Sequence, residues 1–186
     1  MADAFDLKQL EVTMKASLDA LKRELSGLRT GRASTHLLDP LQVTVYGSKM
    51  PLSQVGTVSV PEPRTISIQV WDRANVSAVE KSIRESNLGL NPVIDGQLIR
   101  LPIPTLTAER RQELVKVAHK YAEQSRVSVR NVRRDGMDKL KKLEKDGDIS
   151  EDEHRKKSGS VQELTDKYVK EVDNMLASKE QEIQTV

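Results

Sequence analysis

From Thr107 to Lys145 the chain runs without a proline, and its apolar side chains recur every three or four positions. That pattern predicts one unbroken helix of about 58 Å at 1.5 Å per residue. At about 100° per residue, Arg126, Arg130, Arg133 and Lys141 fall within about 80° of one another. Leu114, Ala118, Tyr121, Ser125, Val129, Val132, Leu140 and Leu143 centre roughly 115° away. A rod that is apolar along one side cannot bury that side alone. It needs partner helices, and its basic side is left for solvent or for an anion.

The partners are visible on either side of it. Leu7, Leu10, Met14, Leu18, Leu21, Leu25 and Leu28 step by three or four, which predicts a helix from about residue 3 to residue 29. Thr30-Gly31 supplies its stop signal. A third helix is expected from about Ser150, where Ser150 and Glu153 have the spacing of a capping box. Its stripe is Val161, Leu164, Tyr168, Val172, Met175 and Leu176. Asp146-Gly147-Asp148 is the turn between the second and third rods. Only 3% of residues are aromatic, so the core must come from aliphatic side chains, which suits helices packed side by side.

All seven prolines lie between residues 40 and 104, and the texture there differs. Leu41 to Tyr46, Val55 to Val60 and Thr65 to Trp71 alternate like strands, with Gly47-Ser48 as a turn and Pro61-Glu-Pro63 as a separator. A short helix capped by Asn75 or Ser77 is expected to run to about Ser86. Asp95-Gly96 is read as a tight turn before a strand from Gln97 to Leu101. The expected fold is α+β: an elongated antiparallel three-helix bundle of residues 1–30 and 106–186, with a small β/α/β domain, residues 31–105, inserted in it. The chain then passes twice between the domains. Thr30, Gly31, Pro102, Pro104 and Thr105 are the expected hinge residues. Gly136 and Gly159 sit badly inside helices, at up to about 1 kcal/mol each against Ala.

Composition excludes several functions. The chain has no cysteine, so neither a disulfide nor a thiolate metal site is available. His36, His119 and His154 are scattered without ligand spacing, and His119 is read as a solvated side chain on the polar face. The acidic run from Asp146 to Glu153 lacks the ligand pattern of a calcium loop. No phosphate loop, nucleophile elbow or paired catalytic carboxylate is apparent, so no enzyme and no cofactor are expected. Asp3 and Asp6 speak against a signal peptide, and no apolar run nears the roughly 20 residues of a membrane span. A cytoplasmic protein is expected.

The net charge of +2 conceals an asymmetry. Residues 106–145 carry twelve basic and six acidic side chains, and residues 146–186 carry six and eleven. The basic face of the long helix has two readings. It is either a solvated surface with salt bridges from Glu123 or Asp138, or a nucleic-acid contact. Arginine at 126, 130, 133 and 134 favours phosphate, which guanidinium grips with two donors. With few aromatics available, phosphate and sugar contacts to helical RNA are expected rather than base stacking.

Several separate motifs carry a family likeness. They are Leu28-Arg-Thr-Gly-Arg-Ala-Ser34 with Leu37-Leu-Asp39, Leu88-Gly-Leu-Asn-Pro92, Leu106-Thr-Ala-Glu-Arg-Arg111, Val127-Ser-Val-Arg-Asn-Val-Arg-Arg-Asp135 and Ile149-Ser-Glu-Asp-Glu153. In this order they resemble the ribosome recycling factor family nearly end to end. The resemblance implies an L-shaped, transfer-RNA-sized monomer that binds the post-termination 70S ribosome, mainly through large-subunit rRNA. It implies that the factor, with elongation factor G and GTP hydrolysis, splits the subunits and frees messenger and transfer RNA. Arg130 and Arg133 match family positions implicated in rRNA contact, Arg29 and Arg111 match further binding positions, and Arg32 shares the motif of Arg29. With Arg126, Arg134 and Lys141 from the basic face, these make up the candidate rRNA-binding set. The residues also admit a ribosome-associated hibernation or assembly factor, and a helical protein-binding adaptor.

Overall fold

The computed structural model describes residues 5–185. They divide into two compact units. One takes the chain up to Arg29 together with Ala108–Thr185, and the other takes Thr30–Thr107.

The first unit consists of α1 (Leu7–Gly27), α3 (Ala108–Lys145) and α4 (Glu151–Thr185), which pack on one another pairwise. Helix α1 begins at Leu7, the first residue of its stripe, where Asp6 caps it, the side chain accepting from the Lys8 amide at 2.9 Å. The predicted start at residue 3 lies outside the described residues. Between α3 and α4 the chain turns on Gly147 at φ +79. The Gly147 amide donates to the Glu144 carbonyl at 3.0 Å and the Asp148 amide to that of Leu143 at 2.9 Å. These two bonds are those of a Schellman cap, whose left-handed position suits glycine. Helix α4 opens with the capping box: the Glu153 amide donates to Ser150 Oγ at 3.2 Å, and the Ser150 amide to Glu153 Oε2 at 3.4 Å.

Cross-helix contacts set the directions. Ser125 Oγ donates to the Ser17 carbonyl, and Leu10 lies against Gly136, so α1 and α3 are antiparallel. Arg126 reaches Asp173 and Arg133 reaches Gln162, so α3 and α4 are antiparallel too. The core is Met14, Leu18, Leu21 and Leu25 of α1, Ala118, Ala122 and Val129 of α3, and Tyr168, Val172 and Leu176 of α4. On α3 the buried stripe is narrower than expected and includes Ala122 and Gly136, while Tyr121, Val132 and Leu143 stay partly exposed. Small residues there let neighbouring helices come close. At Gly136 a Cβ would stand 2.8 Å from Leu10 Cδ1, so the glycine makes room for that side chain. At Gly159 a Cβ would meet nothing within 4 Å, and nothing in the structure explains this glycine. Lys179 is buried on the α4 stripe, with Nζ 3.3 Å from Glu182 Oε2.

In the second unit β3 (Gly56–Glu62), β4 (Thr65–Val70), β6 (Leu98–Pro102) and β5 (Val93–Asp95) form an antiparallel sheet in that order. A separate hairpin pairs β1 (Gln42–Val45) with β2 (Ser48–Pro51). Helix α2 (Val76–Glu85) buries Val76, Val79 and Ile83 in a core shared with Ile66, Ile68 and Val70 of β4 and Ile99 and Leu101 of β6. The hairpin turn falls one residue before the expected Gly47-Ser48. It is Tyr46-Gly47, at φ 52 and 77, the left-handed pair that suits a two-residue connection. Ser48 therefore starts a strand the sequence pattern does not show. Pro61 and Glu62 belong to β3, which carries a register shift between Ser59 and Glu62.

The glycines give a graded test by urea unfolding. Gly159→Ala should stabilise the chain by about 0.5–1 kcal/mol. Gly136→Ala should gain less, because its methyl displaces Leu10. Gly56→Ala should cost about 1–3 kcal/mol, since its Cβ would sit 2.7 Å from the backbone oxygen of Gln69. A gain at Gly56 would refute the strand pairing described here.

Candidate nucleic-acid interface

Packing of α3 on its two neighbours fixes which of its side chains face outward. Leu114, Ala118, Ala122, Ser125, Val129, Gly136 and Leu140 are buried. Measured from the middle of that stripe, Arg133 lies about 55° away and Arg126 about 75°. Both flank the core and lean on α4. Arg130 lies about 115° away, Lys141 about 135° and Arg134 about 155°, on the outward side. The candidate cations therefore do not form one uniform face.

Arg126 is enclosed, with 18% of its side chain exposed. Its Nε and Nη2 both donate to Asp173 Oδ1, at 2.9 and 2.7 Å, and Nη1 donates to Glu123 Oε2 at 3.0 Å. Burial alone would lower its pKa, but the two carboxylates outweigh that and raise it. This guanidinium joins α3 to α4. Arg130 is open, and its Nη1 lies 3.4 Å from Glu123 Oε1, so Glu123 serves both arginines. Arg133 is half-buried and donates through Nε to Gln162 Oε1 at 2.7 Å. Arg134 is exposed, with Nη2 donating to Asn131 Oδ1 at 2.9 Å, and Lys141 is exposed.

Arg111 has a different post. Its Nη1 donates to the carbonyls of Ile183 and Gln184 at 3.0 and 2.7 Å. Those carbonyls end α4 and have no helical partner of their own, and a cation there also meets the negative end of the helix dipole. Arg29 and Arg32 are exposed beside Thr30-Gly31.

Sequence reasoning began from arginine and passed over three lysines. Lys116, Lys120 and Lys145 are exposed and lie within about 25° of the direction opposite the core. With Arg130, Arg134 and Lys141 they make a basic line along α3, interrupted by Glu123, Asp138 and the exposed Val127. The signal was present as three basic pairs four residues apart, 116 and 120, 130 and 134, and 141 and 145. His119, read as solvated, contacts Glu180 through Nε2, and His154 contacts Glu144 through Nδ1. Among the described residues no group of His, Asp and Glu is placed to hold a metal, and no helix is long and apolar enough to cross a membrane.

The expected hinge residues separate as well. Pro102 belongs to β6, paired with Thr65, and is part of the sheet. Thr30 is buried. Gly31 sits at φ +80, where a Cβ would come 3.3 Å from Leu106 Cγ and 3.8 Å from the Pro104 carbonyl oxygen. The chain passes between units at Arg29–Thr30 and Thr107–Ala108.

Known proteins are similar to this chain in sequence and fold. The family described as ribosome recycling factor matches residues 21–183. The ribosome-recycling factor of Rhodospirillum centenum is 63% identical over 97% of this chain and 98% of its own length. That of Rhodopseudomonas palustris strain TIE-1 is 60% identical over the whole of both chains. A solution structure of the ribosome recycling factor superposes with a TM-score of 0.65 at 49% identity, covering 96% of this chain and 95% of that one. A second structure places the T. thermophilus factor and E. coli elongation factor G on the E. coli post-termination complex. It matches with a TM-score of 0.56 at 45% identity over 95% of each chain. A three-helix bundle carrying a basic line on its longest helix, an inserted β/α/β unit, and a match to the family over nearly the whole length agree: the chain belongs to the ribosome recycling factor family.

Proposed function

We propose that this chain binds the post-termination ribosome and, with elongation factor G and GTP hydrolysis, splits the subunits and releases messenger and transfer RNA. Family membership supports recycling, and the relative seen with elongation factor G on the post-termination complex supports the partner. The observation that carries the mechanism is the basic line on α3, held by a stiff bundle. Its cations meet sugar-phosphate grooves of the ribosomal RNA, and the factor itself makes and breaks no covalent bond. Arg130, Arg133, Arg134 and Lys141 supply the contacts, with Lys116, Lys120 and Lys145 extending the line, and Arg29 and Arg32 are further rRNA contacts. Arg126 and Arg111 shape the bundle. The cytoplasm, where ribosomes work, is the compartment.

The inserted unit is the lever. Two backbone crossings join it to the bundle, so a push on that unit is passed to a rod anchored on RNA. Gly31 at φ +80 and Thr30 define one crossing, and Pro104 and Thr105 lead into the other.

Two sets of variants test this. Arg130→Ala, Arg133→Ala and Arg134→Ala should each weaken ribosome binding and flatten the dependence of log affinity on log salt by up to about one unit. Arg126→Ala should leave that slope in place and instead lower stability by about 1 kcal/mol. Unchanged slopes for all three of these variants in a salt titration would reject the RNA contact. For the lever, Gly31→Pro replaces a left-handed φ with one near −65°. It should impair subunit splitting more than binding, and equal losses in both assays would reject the lever.

A further inference from the structure

Arg126 and Arg133 both lean from α3 onto α4, yet α4 meets them with different chemistry. Arg126 is met by the carboxylate of Asp173, with Glu123 on its other side. Arg133 is met by a neutral amide, with Nε donating to Gln162 Oε1 at 2.7 Å. The orientation of that amide follows from its neighbours. Arginine can only donate, so the oxygen faces it. The amide nitrogen of Gln162 faces away and donates to Asp166 Oδ1 at 2.9 Å, an oxygen that can only accept. Arg133, Gln162 and Asp166 thus form a chain of two bonds with one possible polarity.

A guanidinium has five N–H donors. Gln162 uses the one on Nε and leaves the edge made by Nη1 and Nη2, an edge that can grip phosphate with two parallel bonds. An amide takes that bond without cancelling the charge, whereas a carboxylate in its place would do both. We propose that Gln162 is a positioning residue, holding the Arg133 guanidinium with its two-nitrogen edge presented to a phosphate. The proposal rests on the reading that Arg133 meets ribosomal RNA.

The test uses the full-length chain and a ribosome-binding titration at several salt concentrations. The variants are Gln162→Met, which keeps volume and neutrality but removes the amide, Arg133→Ala, and the double variant. Arg133→Ala should lose about fivefold in affinity at about 0.15 M salt and about 0.7–0.9 of salt slope. Gln162→Met should lose about threefold with its slope kept, because the charge remains and only its orientation is released. In the Arg133→Ala background Gln162→Met should have no further effect. The Nε–H NMR signal of Arg133, identified by its loss in Arg133→Ala, should be protected from exchange in the parent and lose that protection in Gln162→Met. The proposal is overturned if Gln162→Met binds like the parent while Arg133→Ala does not, or if Gln162→Met weakens binding equally in both backgrounds. An unchanged affinity for Arg133→Ala would remove the RNA reading of this arginine and the positioning role with it. Urea unfolding of each variant separates a binding loss from a folding loss.

Discussion

The rotation of α3 about its own axis governs the rest of the bundle. That rotation is set by a stripe of Ala118, Ala122, Ser125, Val129 and Gly136, most of them small enough to let α1 and α4 approach closely. Turning α3 by a fraction of a turn would bring Arg126 and Arg133 into the core or push Val129 and Leu140 into water, and interiors packed to the density of organic crystals resist either change. Apolar packing thereby decides which cations are displayed. Charge follows where it is allowed to go.

Helix α4 is the electrostatic counterpart of α3. The segment from residue 146 onward has eleven acids to six bases, and Asp173, Glu180 and Glu144 with His154 bind across the seam between the two helices. At the seam Arg126 is neutralised by Asp173, Arg133 meets the neutral amide of Gln162, and the cations remote from the seam stay available. The acidic helix therefore does not cancel the basic one. It concentrates the effective charge of α3 onto the side opposite the core, where a polyanion can reach it. Arg111, bonded to the last carbonyls of α4, closes the same seam at its other end.

The inserted unit obeys the same rule in β form. Its core is β4 and β6 against α2, with the register Ile66 to Leu101 and Ile68 to Ile99 holding those four side chains inward. The outer strands β2 and β5 bury almost nothing. At the hairpin turn Tyr46 stands open, its hydroxyl donating to Asp72 Oδ2 at 2.6 Å. That bond keeps the tyrosine proton on and the carboxylate proton off.

Helix number and order, and the caps around Gly147 and Ser150, could be read from the chain because they are local. A stripe at steps of three and four, Ser150 with Glu153, and Gly147 between two aspartates each act within a turn or two of themselves. The strands β4 and β6 were legible for the same reason, through buried alternation. Strands β2 and β5 were not, because exposed strands carry no period and are specified by the partner they pair with. The arginine stripe was legible as composition but not as function. Arg126, Arg133 and Arg111 look alike in sequence, and what separates them is Asp173, Gln162 and the end of α4, which lie 29 to 73 residues further along the chain. Contacts across such separations exist only after three rods have packed. The sequence by itself therefore determined that a basic rod would form, and tertiary packing decided which of its charges remain free to bind.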